Sequence, residues 1–247
     1  MKIYIAAAWN DERVIKKYMP PYVLESFMYV QDWLLPLVPK FKGFLFDSGA
    51  FTFMRGRRET DLDWEEYLGR YIDFIQTNQI QDFFELDIDV VVGYDRVKKM
   101  TRTIERKTGR QPIPVWHKSR GLDTFKGMCK DYPYVAIGGI VSREIPPRHY
   151  EYLIPLVELA HEQGARIHGL GFTSQKWLRR VHFDSVDSGG WVMAAINGSL
   201  VQYQNGRMTT IRRPPGKVLK YGRSERLDWN MREWMKYINR ADQGVLT

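Results

Sequence analysis

The stretch HFDSVDSGGW, residues 182–191, sets two aspartates three positions apart at what reads as the end of a strand. At about 3.3 Å per residue, Asp184 lies roughly 10 Å deeper along such a strand than Asp187, and the odd spacing sends the two side chains to opposite faces. Asp187 takes the terminal position. It is followed by Ser188 and by Gly189 and Gly190, where the backbone can turn sharply and a ligand can come close. Asp184 is expected to be a structural group bonded on the helix side. Other strand-like stretches end in the same manner: GFLFDSGAF carries Asp47, DFFELDID carries Asp87, PIPVWH ends in His117, YVAIGGI holds Gly138 and Gly139, and ARIHGLGF holds His168. An aspartate after a strand commonly caps the next helix and nothing more, so the signal is the convergence of these positions. Two carboxylates from different strands suit displacement at an anomeric carbon, one attacking C1′ and the other moving protons on the leaving or entering group. Asp187 and Asp47 fit those roles, though an unrelated barrel glycosidase would use the same pair.

The elements that must position these groups alternate. KIYIAA opens the chain as a strand, and VLESFMYVQDWLLPLV places apolar residues at helical spacing. After GFLFDSGAF comes LDWEEYLGRYIDFIQTN, with a helical stripe through Leu62, Tyr67, Tyr71 and Ile75. DFFELDID precedes the basic helix RVKKMTRTIERKTG, whose Lys98, Lys99, Arg102 and Arg106 read as a solvated outer face. PIPVWH precedes LDTFKGMCKDY, YVAIGGI precedes YEYLIPLVELAHEQG, and ARIHGLGF precedes SQKWLRRV; HFDSVDS is the seventh strand and SLVQYQ the candidate eighth. Right-handed crossovers between such units build a parallel sheet covered by helices. Seven or eight units in about 200 residues predict an α/β fold of the (β/α)8 TIM-barrel type, with its active face at the C-terminal rim of the strands. A single domain is expected over residues 1–247: a barrel over about 1–205, then a basic loop or hairpin and a closing amphipathic helix over about 206–247.

Composition narrows the function classes. Of 247 residues 44% are hydrophobic and 14% aromatic, enough for a full core, and the formal net charge of +8 favours anionic partners, nucleic acid above all. The single cysteine, Cys129, excludes internal disulfides and a cysteine-rich zinc site; it reads as a small buried apolar residue in a reducing compartment. No window approaches the roughly 18 apolar residues of a membrane span. A soluble, cytoplasmic protein with no membrane partner is expected.

Four motifs in order resemble the tRNA-guanine transglycosylase superfamily. FDSGAF is similar to its Asp-Ser-Gly-Gly-Phe signature, YVAIGGIVSRE to its Ala-Ile-Gly-Gly-Leu stretch, and IHGLGFTS to its Met-Gly-Val-Gly-Thr segment. VDSGGWVMAA resembles the archaeal nucleophile motif Phe-Asp-Ser-Ala-Ser-Tyr with its small-residue helix, and order and spacing agree over roughly residues 44 to 205. The resemblance implies Asp187 as the nucleophile on C1′ and Asp47 as the general acid/base. It implies Phe51 and His168 on opposite sides of a purine-like base, Asp87 on one base edge, and the backbone of Gly138, Gly139 and Ile140 on the other. His117 stands where relatives carry glutamine, and His168 replaces a methionine of the bacterial enzymes. The Cys-x-Cys-x-x-Cys and histidine of the structural zinc site have no counterpart here, nor has the RNA-binding domain of the archaeal enzymes.

A reduced, basic barrel of this kind resembles the DNA-guanine transglycosylases, including short phage-borne forms that act in the host cytoplasm and insert 7-deazaguanine bases such as preQ0 or preQ1 into DNA. No metal is expected, because the zinc-site cysteines are missing, and no cofactor or ATP, because one N-glycosidic bond replaces another. A monomer is expected, since family dimers lean on the region around the missing zinc subdomain. A tRNA enzyme without zinc, or a catalytically silent nucleic-acid-binding barrel, are the alternatives. The residues themselves nominate phosphate contacts in Arg55, Arg57 and Arg58 of RGRR, Arg179 and Arg180 of KWLRR, and Arg212, Arg213 and Lys217 of IRRPPGK. Trp116, Trp177 and Trp191 are candidates for stacking, which core packing explains equally well.

Overall fold

The computed structural model describes residues 1–49, 62–211 and 221–244. Phe51, Arg55, Arg57, Arg58, Arg212, Arg213 and Lys217 therefore lie outside the described residues. Eight parallel strands make one curled sheet: β1 Lys2–Ala6, β2 Tyr22–Ser26, β3 Gly43–Asp47, β4 Asp82–Phe83, β5 Val115–Trp116, β6 Tyr134–Ile137, β7 Arg166–Gly169 and β8 Ser185–Ser188. Their spatial order is β4-β3-β2-β1-β8-β7-β6-β5. Helices fill the connections: α1 Glu12–Tyr18, α2 Trp64–Thr77, α3 Asp89–Val92, α4 Tyr94–Thr108, α5 Leu122–Asp131, α6 Leu153–Glu162, α7 Gln175–Leu178 and α8 Gly190–Ile196. A two-stranded hairpin follows, β9 Leu200–Gln204 with β10 Arg207–Ile211, and α9 Arg223–Asp242 ends the described chain.

Local chemistry fixes where helices begin and end. Asp11 caps α1 by accepting from the Val14 N–H at 3.0 Å, and Asp63 caps α2 by accepting from Glu65 and Glu66. In α4 the residues Val97, Met100, Thr101 and Ile104 are buried on one side, while Lys98 and its basic neighbours face solvent, as the spacing predicts. Gly109 stops that helix in the left-handed conformation at φ 68°.

Two strands differ from the expectation. The segment from Val23 to Val38 was expected as a helix, yet Tyr22–Ser26 is the strand β2, paired with both β1 and β3. A parallel strand buried on both faces shows a near-continuous apolar run, which imitates a helical stripe, and Pro36 and Pro39 confine the later part to a 3-10 turn. Conversely, SLVQYQ is not the eighth strand of the sheet. It pairs antiparallel with β10 across a two-residue Asn205-Gly206 turn, both at positive φ, which is the turn that asparagine and glycine favour.

A complete ladder all round the sheet is not present. Between the end strands β4 and β5 stands one parallel bridge, Phe84 to Ile113, in which Glu85 N–H donates to Ile113 O at 3.0 Å and Ile113 N–H donates to Phe83 O at 2.7 Å. Prolines 112 and 114 flank Ile113 and have no N–H to give, so the pairing stops there. The core runs from the sheet to the helices and holds Trp116 and Trp191, whose burial and, for Trp191, a bond to Ala6 O assign them to packing. No helix among the described residues is long and apolar enough to cross a membrane.

Candidate active site

Asp47, Asp87, His117, Gly138, Gly139 and Asp187 lie at or past the C-terminal ends of their strands, so one end of the sheet carries them. The register places Asp187 beside Tyr4 of β1, two positions beyond Ser185, which pairs with His168 of β7. Side chains two apart on a strand share a face, so Ser185 supports Asp187 from below. Asp187 is buried, and its Oδ1 accepts from His168 Nε2 at 3.2 Å and from the Gly171 N–H at 2.6 Å. Behind the imidazole, His168 Nδ1 meets Ser185 Oγ at 2.6 Å, and Ser185 Oγ meets Tyr134 OH at 2.5 Å. With Asp187 ionised, Nε2 must carry its hydrogen, and the Ser185 hydroxyl then donates to Nδ1 while Tyr134 donates to Ser185. Oδ2 of Asp187 has no hydrogen-bond partner among the described residues.

Asp184 sits on the other side of the chain. Its Oδ2 accepts from the Ile167 N–H at 2.7 Å and contacts His161 of α6 at 3.0 Å, near the start of β8 and away from the strand ends. His168, expected beside a bound base, is buried on β7. It has no exposed surface and is ringed by Tyr4, Phe84 and Tyr134, because it stands one strand step below the rim, where its ring orients Asp187.

Asp47 ends β3, half-buried, and accepts from the Gly49 N–H at 3.2 Å. Burial, with the nearby charges of Asp87 and Asp187, pushes its carboxyl up to about 7. The Ser48 hydroxyl next to it is fully buried without a hydrogen-bond partner among the described residues. On the neighbouring strand Glu25 is also buried, and its carboxyl is pushed up to about 7 by burial, with Asp47 adding to the rise against N–H donation from Ser26 and Trp9.

Across the sheet the chemistry is ionic. His117 Nε2 meets Asp87 Oδ2 at 2.7 Å and its Nδ1 meets Glu144 Oε2 at 3.0 Å. Burial works against a charge on this ring, but the two carboxylates outweigh it and raise its pKa to about 9. Arg120, whose side chain is 1% exposed, bonds Glu85 at 2.7 Å, Asp87 at 3.0 Å and Asp89 at 2.9 Å, and also donates to Val115 O. Burial raises the Glu85 carboxyl against the pull of Arg120, whereas Asp89, though partly desolvated, is held low by the same guanidinium. Asp87, Asp89 and His117 each offer one donor atom within 4.8 Å of one another, a spacing a metal ion can use. Arg120 and protonated His117 already supply the positive charge there.

The glycines after β6 fit under this cluster. A Cβ on Gly138 would stand 2.7 Å from His117 Cε1, and one on Gly139, at φ 77°, would stand 2.7 Å from Glu144 Oε2. The buried Ile140 follows them. Glycine is therefore required here for the side chains that cross it.

Arg179 and Arg180 are exposed just beyond α7. With Lys176 and Arg207 they surround a surface cleft of about 630 Å³ between α7 and the hairpin, and none of the four has a carboxylate partner among the described residues. Gln175 fixes the cleft by donating to Met208 O at 2.7 Å and accepting from the Met208 N–H at 2.8 Å.

Comparison of the chain with protein-family models and with curated proteins finds no match.

Sequence reasoning passed over Glu25, Glu85, Arg120, Tyr134, Glu144, Gly171 and Ser185. The signal for part of this group was visible: Glu85, Asp87 and Asp89 alternate in ELDID, and a row of carboxylates at that spacing needs a cation, which HKSRG provides as Arg120.

Proposed function

We propose that the chain is a base-exchange enzyme on nucleic acid, a guanine transglycosylase that replaces guanine in DNA by a 7-deazaguanine. In this reading the curled sheet closes at the Phe84–Ile113 bridge as a (β/α)8 barrel, within one domain over residues 1–247. What carries the proposal is the state of Asp187: buried at the strand ends, held on one oxygen by two donors, with no partner on the other oxygen among the described residues and a second carboxyl of pKa about 7 in charge contact. Carboxyls whose surroundings differ in this way divide into nucleophile and acid/base.

The chemistry follows from that division. Asp187 Oδ2 attacks C1′ of the target nucleotide, the C1′–N9 bond breaks, and the bonding pair leaves with guanine, which takes a proton from Asp47. The incoming 7-deazaguanine then gives its N9 proton to the Asp47 carboxylate, and N9 attacks C1′ and displaces Asp187. One glycosidic bond is lost and one formed, so no other reactant is consumed. Asp87 has both oxygens on cations and keeps lone pairs to accept N–H groups of a base edge. The cleft formed by Lys176, Arg179, Arg180 and Arg207 suits a phosphodiester backbone. A target inside a duplex must be flipped out, at a cost of roughly a few kcal/mol.

The missing zinc-site cysteines favour DNA over tRNA. The test is a competition: DNA and tRNA are incubated together with a labelled 7-deazaguanine and the protein, and the label is located after digestion. Label in DNA is the expected result. Label only in tRNA replaces the substrate, and binding of either without exchange points to a silent barrel.

A further inference from the structure

One feature of the strand-end face has no part in the scheme above. Trp9, in the turn after β1, and Tyr29, in the loop after β2, lie ring on ring at 5.1 Å and 19°. Both are exposed, 38% and 36%, so packing of the core does not account for them. Their position is fixed from beneath: the Trp9 N–H donates to the buried Glu25 at 2.8 Å, and the Tyr29 N–H donates to Ser26 O at 3.0 Å. Ser26 is in register with Asp47, and Gly49 packs so closely on Met28 and Ser26 that a Cβ there would collide with both. The pair thus belongs to the wall of the mouth beside the proposed acid/base. Next to Trp9, Asn10 accepts from Arg223 at 3.0 Å, and Arg223 has no carboxylate partner among the described residues.

A flat, pre-stacked aromatic face with a guanidinium alongside that no carboxylate among the described residues neutralises matches a nucleobase and its phosphate. We propose that Trp9 and Tyr29 form a stacking platform for the base adjacent to the target nucleotide, with Arg223 set to take the adjoining phosphate. This rests on reading the mouth as a nucleic-acid site. It adds a subsite on the β1–β2 side, whereas the cationic cleft lies on the β7–β8 side, so a strand drawn between them crosses Asp187. Stacking is indifferent to which base is offered, and the subsite grips the strand without imposing a sequence.

The test uses the full chain carrying Asp187→Asn, so that binding is read without turnover, and short fluorescent single-stranded DNA and RNA oligonucleotides. Each has a central guanine, and matched probes have an abasic site at one neighbour or the other. Trp9→Ala is expected to weaken binding of the intact probe roughly tenfold, with Trp9→Phe restoring most of it. An abasic site at one neighbour should cost the parent protein the same factor and cost Trp9→Ala nothing more. Equal binding by Trp9→Ala and its parent, or losses that simply multiply at both neighbours, overturns the platform. Exchange is measured in parallel with Asp187 restored. Normal exchange with no effect of Trp9→Ala removes the platform alone, while a parent that neither binds nor exchanges on DNA or RNA removes the site reading and the platform with it.

Discussion

Two carboxylates at the strand ends are held in opposite ways. Asp187 is fastened by an imidazole N–H and a backbone N–H on a single oxygen, with a hydroxyl relay of Ser185 and Tyr134 behind the ring. Asp87 is fastened on both oxygens by cations, His117 and Arg120, which are themselves shared with Glu85, Asp89 and Glu144. The first arrangement orients a carboxylate and leaves one oxygen able to form a bond. The second fixes charge in place and builds a wall. Of two aspartates on the same face, the one with fewer partners is the better nucleophile, and the one with more is the better template.

The comparison can be broken at either end. Asp187→Asn should abolish base exchange, by at least about a thousandfold, while leaving oligonucleotide binding in place; nucleoside analysis by mass after digestion reads the first and anisotropy the second. On the other wall the loss should be of stability. Arg120→Met leaves three carboxylates without their shared cation, and denaturant titration should show a fall of about 3–5 kcal/mol. His168→Ala should lower turnover roughly a hundredfold by releasing the Asp187 side chain, without weakening oligonucleotide binding, because the ring touches Asp187 and has no exposed surface.

The pH responses are smaller and sharpen the same contrast. Glu25 and Asp47 have folded-state pKa values raised to about 7, so between about pH 4.5 and 7 the folded chain binds more protons than the unfolded chain, and stability falls as pH rises through that window. For Glu25, which is 1% exposed, the effect amounts to roughly 3 kcal/mol. Urea unfolding at pH 5 and pH 8 should show the fall, and Glu25→Gln should flatten it. Raised His117 adds a fall of the same sign at higher pH: the stability it gains from Asp87 and Glu144 is full below about pH 6.5 and is lost as pH rises through about 9. His117→Gln should remove that second fall. Exchange itself should peak near pH 7, where Asp47 exists in both the acid and the base form.

Much of the layout was legible because period and position are local properties. Asp47, Asp87 and Asp187 each stand where a strand gives way to a turn, and the parity of Asp184 and Asp187 separates their faces. β2 was hidden because burial on both sides erases alternation. The hairpin has a plain local signal in Asn205-Gly206, although SLVQYQ reads equally as one more strand of the sheet. The ionic wall was the hardest to see, since Arg120 and Glu144 reach Asp87 and His117 from separate loops, and nothing local to either residue says so. Nothing local to His168 says how deep its ring lies, and it is buried one strand step below the rim.

The Phe84–Ile113 bridge bears on motion. Two backbone hydrogen bonds hold that seam, backed by side-chain bonds from Glu85 and Asp87 to Val115, Arg120 and His117, while β1 and β8 share a four-residue backbone ladder. A sheet breathes first where its pairing is thinnest, so the amide protons of Glu85 and Ile113 should exchange with solvent through an opening that spares the strand of the nucleophile. The charged wall hangs from the strands on either side of that seam. A change in the seam is felt first by that wall and last by Asp187.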